Sequence, residues 1–245
     1  MNGLNGDVVV PAGQTLIRFE TAGQLDFQNL TYLIVFNTAG DNLQPFAQGY
    51  NTDFKNWSYF FVVGGGSNFA NFPGLLQVYQ DPSSGAARTF NINIPTGTVN
   101  FQPSIPTASA QFGFQITFNR CLLDNPPPSA NPPPPVSSNR ICGPYNNIMP
   151  VWNISLFTLD RTQSPVDSLS PNGPSATDYT FGIDTDTLVA PPAGTRFKPA
   201  SNSVTQNLSA QIVGVEIFST PGNVGANPTP SPSPTPTSAP TRAPA

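Results

Sequence analysis

The chain has 245 residues, 9 basic and 13 acidic side chains, a formal net charge of -4 and no histidine. Charged residues make up 9% of it, against roughly 25% in an ordinary soluble domain, so solubility rests on amides and hydroxyls: 24 Asn, 13 Gln, 21 Ser and 23 Thr. These figures exclude imidazole catalysis and imidazole metal ligation, and with Lys55 and Lys198 as the only lysines they leave no surface for a phosphate backbone, so no nucleic-acid partner is expected.

No stretch approaches the ~18 consecutive apolar residues of a membrane span. Residues 1–7 (MNGLNGD) lack the basic and apolar regions of a signal peptide, so an exported chain would be one that starts after a removed leader.

Period-two patterning begins early, with short strands expected at 8–10 and 15–20. Residues 30–36 (LTYLIVF) and 57–63 (WSYFFVV) are nearly continuous apolar runs, which suits central strands covered on both faces. Between them NLQPFAQGYNTDFKNW sets Phe46, Tyr50, Phe54 and Trp57 in an apparent loop. Gly64, Gly65 and Gly66 suggest a mobile turn, and SNFANFPG adds Phe69 and Phe72. A strand at 75–80 follows. Phe90, Ile92 and Ile94 then alternate with Asn91 and Asn93, and Phe112, Phe114, Ile116 and Phe118 alternate with Gly113, Gln115 and Thr117.

Cys121 and Cys142 bracket LLDNPPPSANPPPPVSSNRI, which holds seven prolines. One cysteine follows a strand and the other precedes the strand expected at 151–159, so a disulfide is expected to staple the base of a long hairpin excursion. Closing a loop of this size gains ~3 kcal/mol in the chain-entropy model. The alternative is two independent buried thiols; a bridge would imply an oxidising compartment.

Further along, Trp152, Ile154 and Leu156 alternate with Asn153 and Ser155, strands are expected at 178–183 and 203–208, and Val213, Val215 and Ile217 alternate with Gly214 and Glu216. No window of a dozen residues free of Gly and Pro carries a helical apolar stripe. The pattern predicts an all-β antiparallel β-sandwich, jelly-roll or immunoglobulin-like, of roughly ten short strands. It would occupy residues 1–222 as one domain, with the Pro-rich loop insertion at 122–141. Residues 223–245 are expected to form a Pro/Ser/Thr-rich stalk or disordered tail, because the alternating prolines of NPTPSPSPTPTSAPTRAPA favour solvated polyproline II.

Tyr50, Trp57, Phe69 and Phe72 are the candidate binding residues, since rings flanked by Asn and Gln can form a platform for a glycan or a surface protein. The competing role, which buried aromatics favour, is packing beneath the loops. Asp178, Asp184 and Asp186 in DYTFGIDTDT are a calcium candidate weighed against ordinary turn-capping, because the longer ligand series of an EF-hand is absent. Glu20 and Glu216, the only glutamates, could meet if the first and last strands pair, as a glycan hydrolase would require. Four N-x-[ST] sequons, at Asn29, Asn56, Asn153 and Asn207, are about as many as this composition yields by chance. With no recognisable catalytic motif, no enzyme and no cofactor are expected.

Residues 32–38 (YLIVFNT), residues 56–66 (NWSYFFVVGGG) and the Pro/Thr/Ser tail resemble bacterial secreted or envelope β-rich proteins of no known activity. That resemblance implies an extracellular or cell-envelope location and brings no catalytic residues. The functional expectation is a non-enzymatic surface or secreted module acting in adhesion or ligand binding. The alternatives are a self-assembling subunit of a coat, filament or capsid and, third, a carboxylate-dependent glycan hydrolase.

Overall fold

The computed structural model describes residues 10–11, 13–39, 41, 43–46, 53–66, 69, 72–94, 96–104, 112–123, 151–168, 181–184, 195–197 and 206–219. Within them the chain is all-β, with twelve strands and one 3-10 turn at Arg120–Leu123. The strands are β1 (Gln14–Thr21), β2 (Thr31–Asn37), β3 (Tyr59–Gly64), β4 (Gly74–Gln80), β5 (Ala87–Asn91), β6 (Val99–Gln102), β7 (Phe112–Asn119), β8 (Val151–Leu159), β9 (Pro165–Ser168), β10 (Phe181–Asp184), β11 (Thr195–Phe197) and β12 (Ile212–Ser219). Two antiparallel sheets form a sandwich. The smaller runs β11-β12-β1-β7-β6, and the larger runs β10-β8-β2-β3-β4-β5 with β9 on β8.

Alternation builds the space between the sheets. Ile17 and Phe19 of β1, Phe114, Ile116 and Phe118 of β7, and Val215 and Ile217 of β12 face Tyr32, Ile34 and Phe36 of β2, Tyr59 and Phe61 of β3 and Trp152 of β8 in one buried cluster. Rings dominate it: Phe19 stacks on Phe114 at 4.9 Å, and Phe36 meets Phe61, Phe118 and Trp152 edge-on.

The continuous apolar runs have the other predicted consequence. Every residue of β2 and β3 is buried, because the outer face of the larger sheet carries a second core of Leu33, Val35, Phe60, Val62, Phe157 and Leu159. Phe54 and Trp57 cover it from the β2–β3 connection. Polar ties hold that cover down: Asn37 Nδ2 and Asn153 Nδ2 both donate to Leu43 O, Ser155 Oγ donates to Pro45 O, and Asn56 Nδ2 donates to Gln44 O.

Several sequence expectations change. The strands at 112–119 and 151–159 do not form a hairpin: β7 pairs with β1 and β6 in one sheet, and β8 with β2, β9 and β10 in the other. The connection between them therefore crosses from sheet to sheet, and it starts with Leu122 and Leu123 inside the core. Residues 206–208 of the strand expected at 203–208 form a bend and turn. Val10 is not in a strand; it packs on Leu16 and Phe218. In β12, Glu20 pairs with Gly214 and Thr21 with Ile212, so Val213 is the extra residue of a β-bulge. The bulge reverses the side-chain phase and sends Ile212, not Val213, into the core.

Candidate functional site

Gly64, the last residue of β3, and Gly65 and Gly66 after it adopt φ of +87°, +80° and +65°. They are a docked segment, not the mobile turn expected from the sequence: Gly64 N–H donates to Phe69 O, Gly65 N–H to Leu30 O and Gly66 N–H to Phe27 O. A side chain at Gly64 would place Cβ 2.5 Å from Leu30 O, so the close approach of these backbones requires glycine. This clamp fixes where the chain emerges towards Phe69 and Phe72.

At that corner an open cleft of about 310 Å³ lies between the start of β4 and the end of β5, lined by Phe69, Phe72, Pro73, Gly74, Leu75 and residues 91–94. Phe69 is half-buried and rests partly on the outer core. Its ring sits against Gly74, where an added Cβ would come within 2.4 Å of the ring. Phe72 is 44% exposed, one of the few large apolar side chains left open among the described residues. Asn91 and Asn93 are exposed beside it, while Leu75 and Ile92 close the floor into the inner core. Ile92 N–H donates to Leu75 O, which extends the β4–β5 ladder along the cleft wall. The described lining contains no ionisable side chain.

The four aromatic candidates therefore separate. Phe69 and Phe72 share the cleft. Trp57 is 5% exposed, stacks on Phe157 at 6.0 Å and donates from Nε1 to Phe46 O, so its ring is spent on packing over the larger sheet. Tyr50 lies outside the described residues. Phe54 (φ 49°) and Asn56 (φ 64°) next to Trp57 hold left-handed backbone, a conformation fixed here by the buried Phe54 ring and the Asn56–Gln44 bond.

Glu20 and Glu216 do come together in the sense that β1 and β12 pair, but side by side on one face, not opposed across a cleft. Glu216 lies opposite Arg18 and accepts from its Nη1 at 3.1 Å, while Glu20 is fully buried. Arg18 also donates from Nε to Gln115 Oε1 and lies over the Phe218 ring. Among the described residues no group of three His, Cys, Asp or Glu side chains is placed to hold a metal ion. For the calcium candidate, Asp184 is described only in its backbone, opposite Val151, and Asp178 and Asp186 lie outside the described residues. The Cys121 side chain and Cys142 also lie outside them, as do residues 124–141 of the Pro-rich insertion and the whole tail, 223–245.

The sequons divide by environment. Asn56 and Asn153 spend their amides on backbone carbonyls, whereas Asn29 and Asn207 sit on exposed turns, where Asn29 Nδ2 donates to Asp26 and Asn207 Oδ1 accepts from Ser209 N–H. Among the described residues no helix is long and apolar enough to cross a membrane.

Comparison with protein-family models, curated proteins and solved structures finds no match. The cleft is therefore read from its own chemistry.

Proposed function

We propose that the chain is a non-enzymatic, extracytoplasmic surface or secreted module that works by ligand contact through the Phe69–Phe72 cleft. The observation that carries this reading is an exposed aromatic ring beside two exposed Asn amides, in a concavity with no ionisable side chain among its described lining. An exposed ring offers apolar area, and amides supply directed hydrogen bonds to an uncharged partner. A volume of about 310 Å³ matches the small end of the range of ligand sites. The extracytoplasmic location rests on the predicted Cys121–Cys142 bridge, which mass spectrometry of non-reduced peptides checks; two free thiols in unreduced protein would remove that support.

The cleft is tested by retention of wild-type, Phe72→Ala and Asn93→Ala proteins on an array of neutral glycans, with circular dichroism as a folding control. The reading expects at least one glycan to retain the wild type and both variants to lose ~10-fold or more of that retention. Unchanged retention by folded variants contradicts it.

A further inference from the structure

We propose that β5 pairs with the β5 of a second copy of this chain, antiparallel across a two-fold axis at Thr89, so that the two larger sheets run on into one. The pairing draws on backbone groups and does not depend on what the Phe69–Phe72 cleft binds.

β5 ends the larger sheet on its side, and the ladder to β4 fixes which of its backbone groups point away from the sheet. Directly opposite residues in an antiparallel ladder alternate between bonded and non-bonded pairs. Just beyond the two ends of β5, Ile92 N–H donates to Leu75 O and Asp81 N–H donates to Ala86 O, in the same register that sets Val78 opposite Thr89. Counting inwards by twos from either end, Phe90 and Arg88 bond to β4, while Ala87, Thr89 and Asn91 do not. Val78 agrees with that phase, because its N–H donates the other way, to Ser58 O beside β3. The N–H and C=O groups of Ala87, Thr89 and Asn91 therefore project from the open edge, and none of the described residues takes them up.

Exposed edges are commonly guarded by Lys, Pro or a bulge. β5 has none of these: its register with β4 runs without a shift, it holds neither Lys nor Pro, and from Thr89 to Asn119 the chain carries no ionisable side chain. Its one charge, Arg88, is held by the buried Asp81 carboxylate at 2.6 Å.

Two-fold symmetry makes this edge complementary to itself. An axis at Thr89 sets Ala87 opposite Asn91 of the second copy, Thr89 opposite its own equivalent and Asn91 opposite Ala87. All three pairs face each other with their free groups, at two bonds to a pair, or about six in all. Between them Arg88 lies opposite Phe90 of the second copy, a cation beside a ring, and no like charges stand directly opposite. Sliding by one residue would set outward groups against inward ones, and sliding by two would leave an end of β5 without a β5 partner. The contact closes at two copies. A single strand pair buries less than the ~1,200 Å² of a standard interface, so the dimer should be weak, with Kd on the order of 100 µM.

Sedimentation velocity of the full chain from about 5 µM to about 1 mM tests this, and the wild type should pass from monomer to dimer over that range. Thr89→Pro removes the outward donor at the axis and no bond to β4; it should keep the wild-type melting midpoint and weaken dimerisation ~10-fold or more. Thr89→Cys reads the register. Bonded antiparallel pairs hold their Cα atoms about 5.5 Å apart, within disulfide range, so mild oxidation should cross-link this variant to itself on a non-reducing gel, with wild type alongside to account for Cys121 and Cys142. Ala87→Cys and Asn91→Cys should cross-link more when mixed than alone. A wild type still monomeric at about 1 mM, a dimer that a folded Thr89→Pro leaves intact, or a Thr89→Cys protein that does not cross-link would each overturn the proposal. If Thr89→Pro lowers the melting midpoint, the wild-type dimer and the cross-links decide alone.

Discussion

Tyr32 joins three parts of the molecule through one hydroxyl. Its ring lies in the core against Phe19, Phe27 and Phe114, while its Oη donates to Ser209 O and accepts from Asp26 N–H. Burial, above all, pushes the phenol well above the ordinary tyrosine range; Asp26 acts both ways, its backbone hydrogen bond lowering the pKa and its carboxylate raising it. Tyr32→Phe keeps the ring and leaves both backbone partners short of a bond, so it should cost about 1–3 kcal/mol. Thermal unfolding checks this, at roughly 2–4 °C per kcal/mol for a chain of this size; an unchanged midpoint would mean water replaces the hydroxyl freely. That Tyr32 points inward was legible from its place in a buried run. Its partner Ser209 was not, because a contact across 177 positions leaves no trace in local periodicity. Trp57 illustrates the same limit: composition puts it in a loop beside Asn and Gln, and only the return of that loop over the larger sheet decides that its ring is buried.

Among the elements, the turns carry much of the specification. The β4–β5 loop is organised by Asp81, which accepts from the Ser83 hydroxyl and N–H and from Arg88 Nε, and the β8–β9 loop by Asp160, which accepts from the Thr162 hydroxyl and from Ser164 and Thr162 N–H. Both carboxyls are held below the ordinary aspartate range, Asp81 chiefly by the Ser83 hydroxyl and Asp160 chiefly by the Thr162 hydroxyl. A depressed carboxyl binds its proton less tightly in the folded than in the unfolded chain. Its contribution is therefore complete above the unfolded value of about 3.9 and is lost as the pH falls below it towards the folded value. The urea midpoint should stay level from about pH 7 to 5 and drop below about pH 4. The Asp81→Asn, Asp160→Asn double variant should start lower at neutral pH and drop less. An identical acid loss in the variant would assign the effect to other groups.

The glycine clamp is the second device at this scale. Gly64→Ala sets a β-carbon against Leu30 O in left-handed backbone and should destabilise by at least about 2 kcal/mol, measured by urea unfolding. A neutral effect would mean the turn is as mobile as its sequence suggests. Strands of seven or more residues were legible where apolar residues alternate or run on. β6, β9 and β11 were missed because three or four residues hold too few repeats to show a period, and β9 opens on Pro165, tolerated at a strand's first position. The strand expected at 203–208 failed at its end, where Leu208 stands 57% exposed on a turn whose carbonyl accepts from Gly23 N–H.

At the scale of the whole molecule, the sheets are tied at one end as well as packed. Thr158 Oγ1 and Tyr32 Oη donate to Ala210 O and Ser209 O, and the buried Asp167 carboxylate accepts from Ile212 N–H, so the larger sheet holds the segment that begins β12 in the smaller. The all-β sandwich was readable from patterning alone; the crossover from β7 to β8 was not, since patterning places residues on faces without saying which strand lies beside which. Both faces of the larger sheet are covered, whereas Phe72 at the β4–β5 corner is 44% exposed, so rings used for packing are divided from a ring left in the open cleft. Urea unfolding of Trp57→Ala and Phe72→Ala, compared with wild type, measures it directly. Trp57→Ala should lose about 3–5 kcal/mol and Phe72→Ala about 1 kcal/mol or less. Equal large losses would put Phe72 in the core, and a negligible loss at Trp57 would show that the outer layer over the larger sheet is not packed as described.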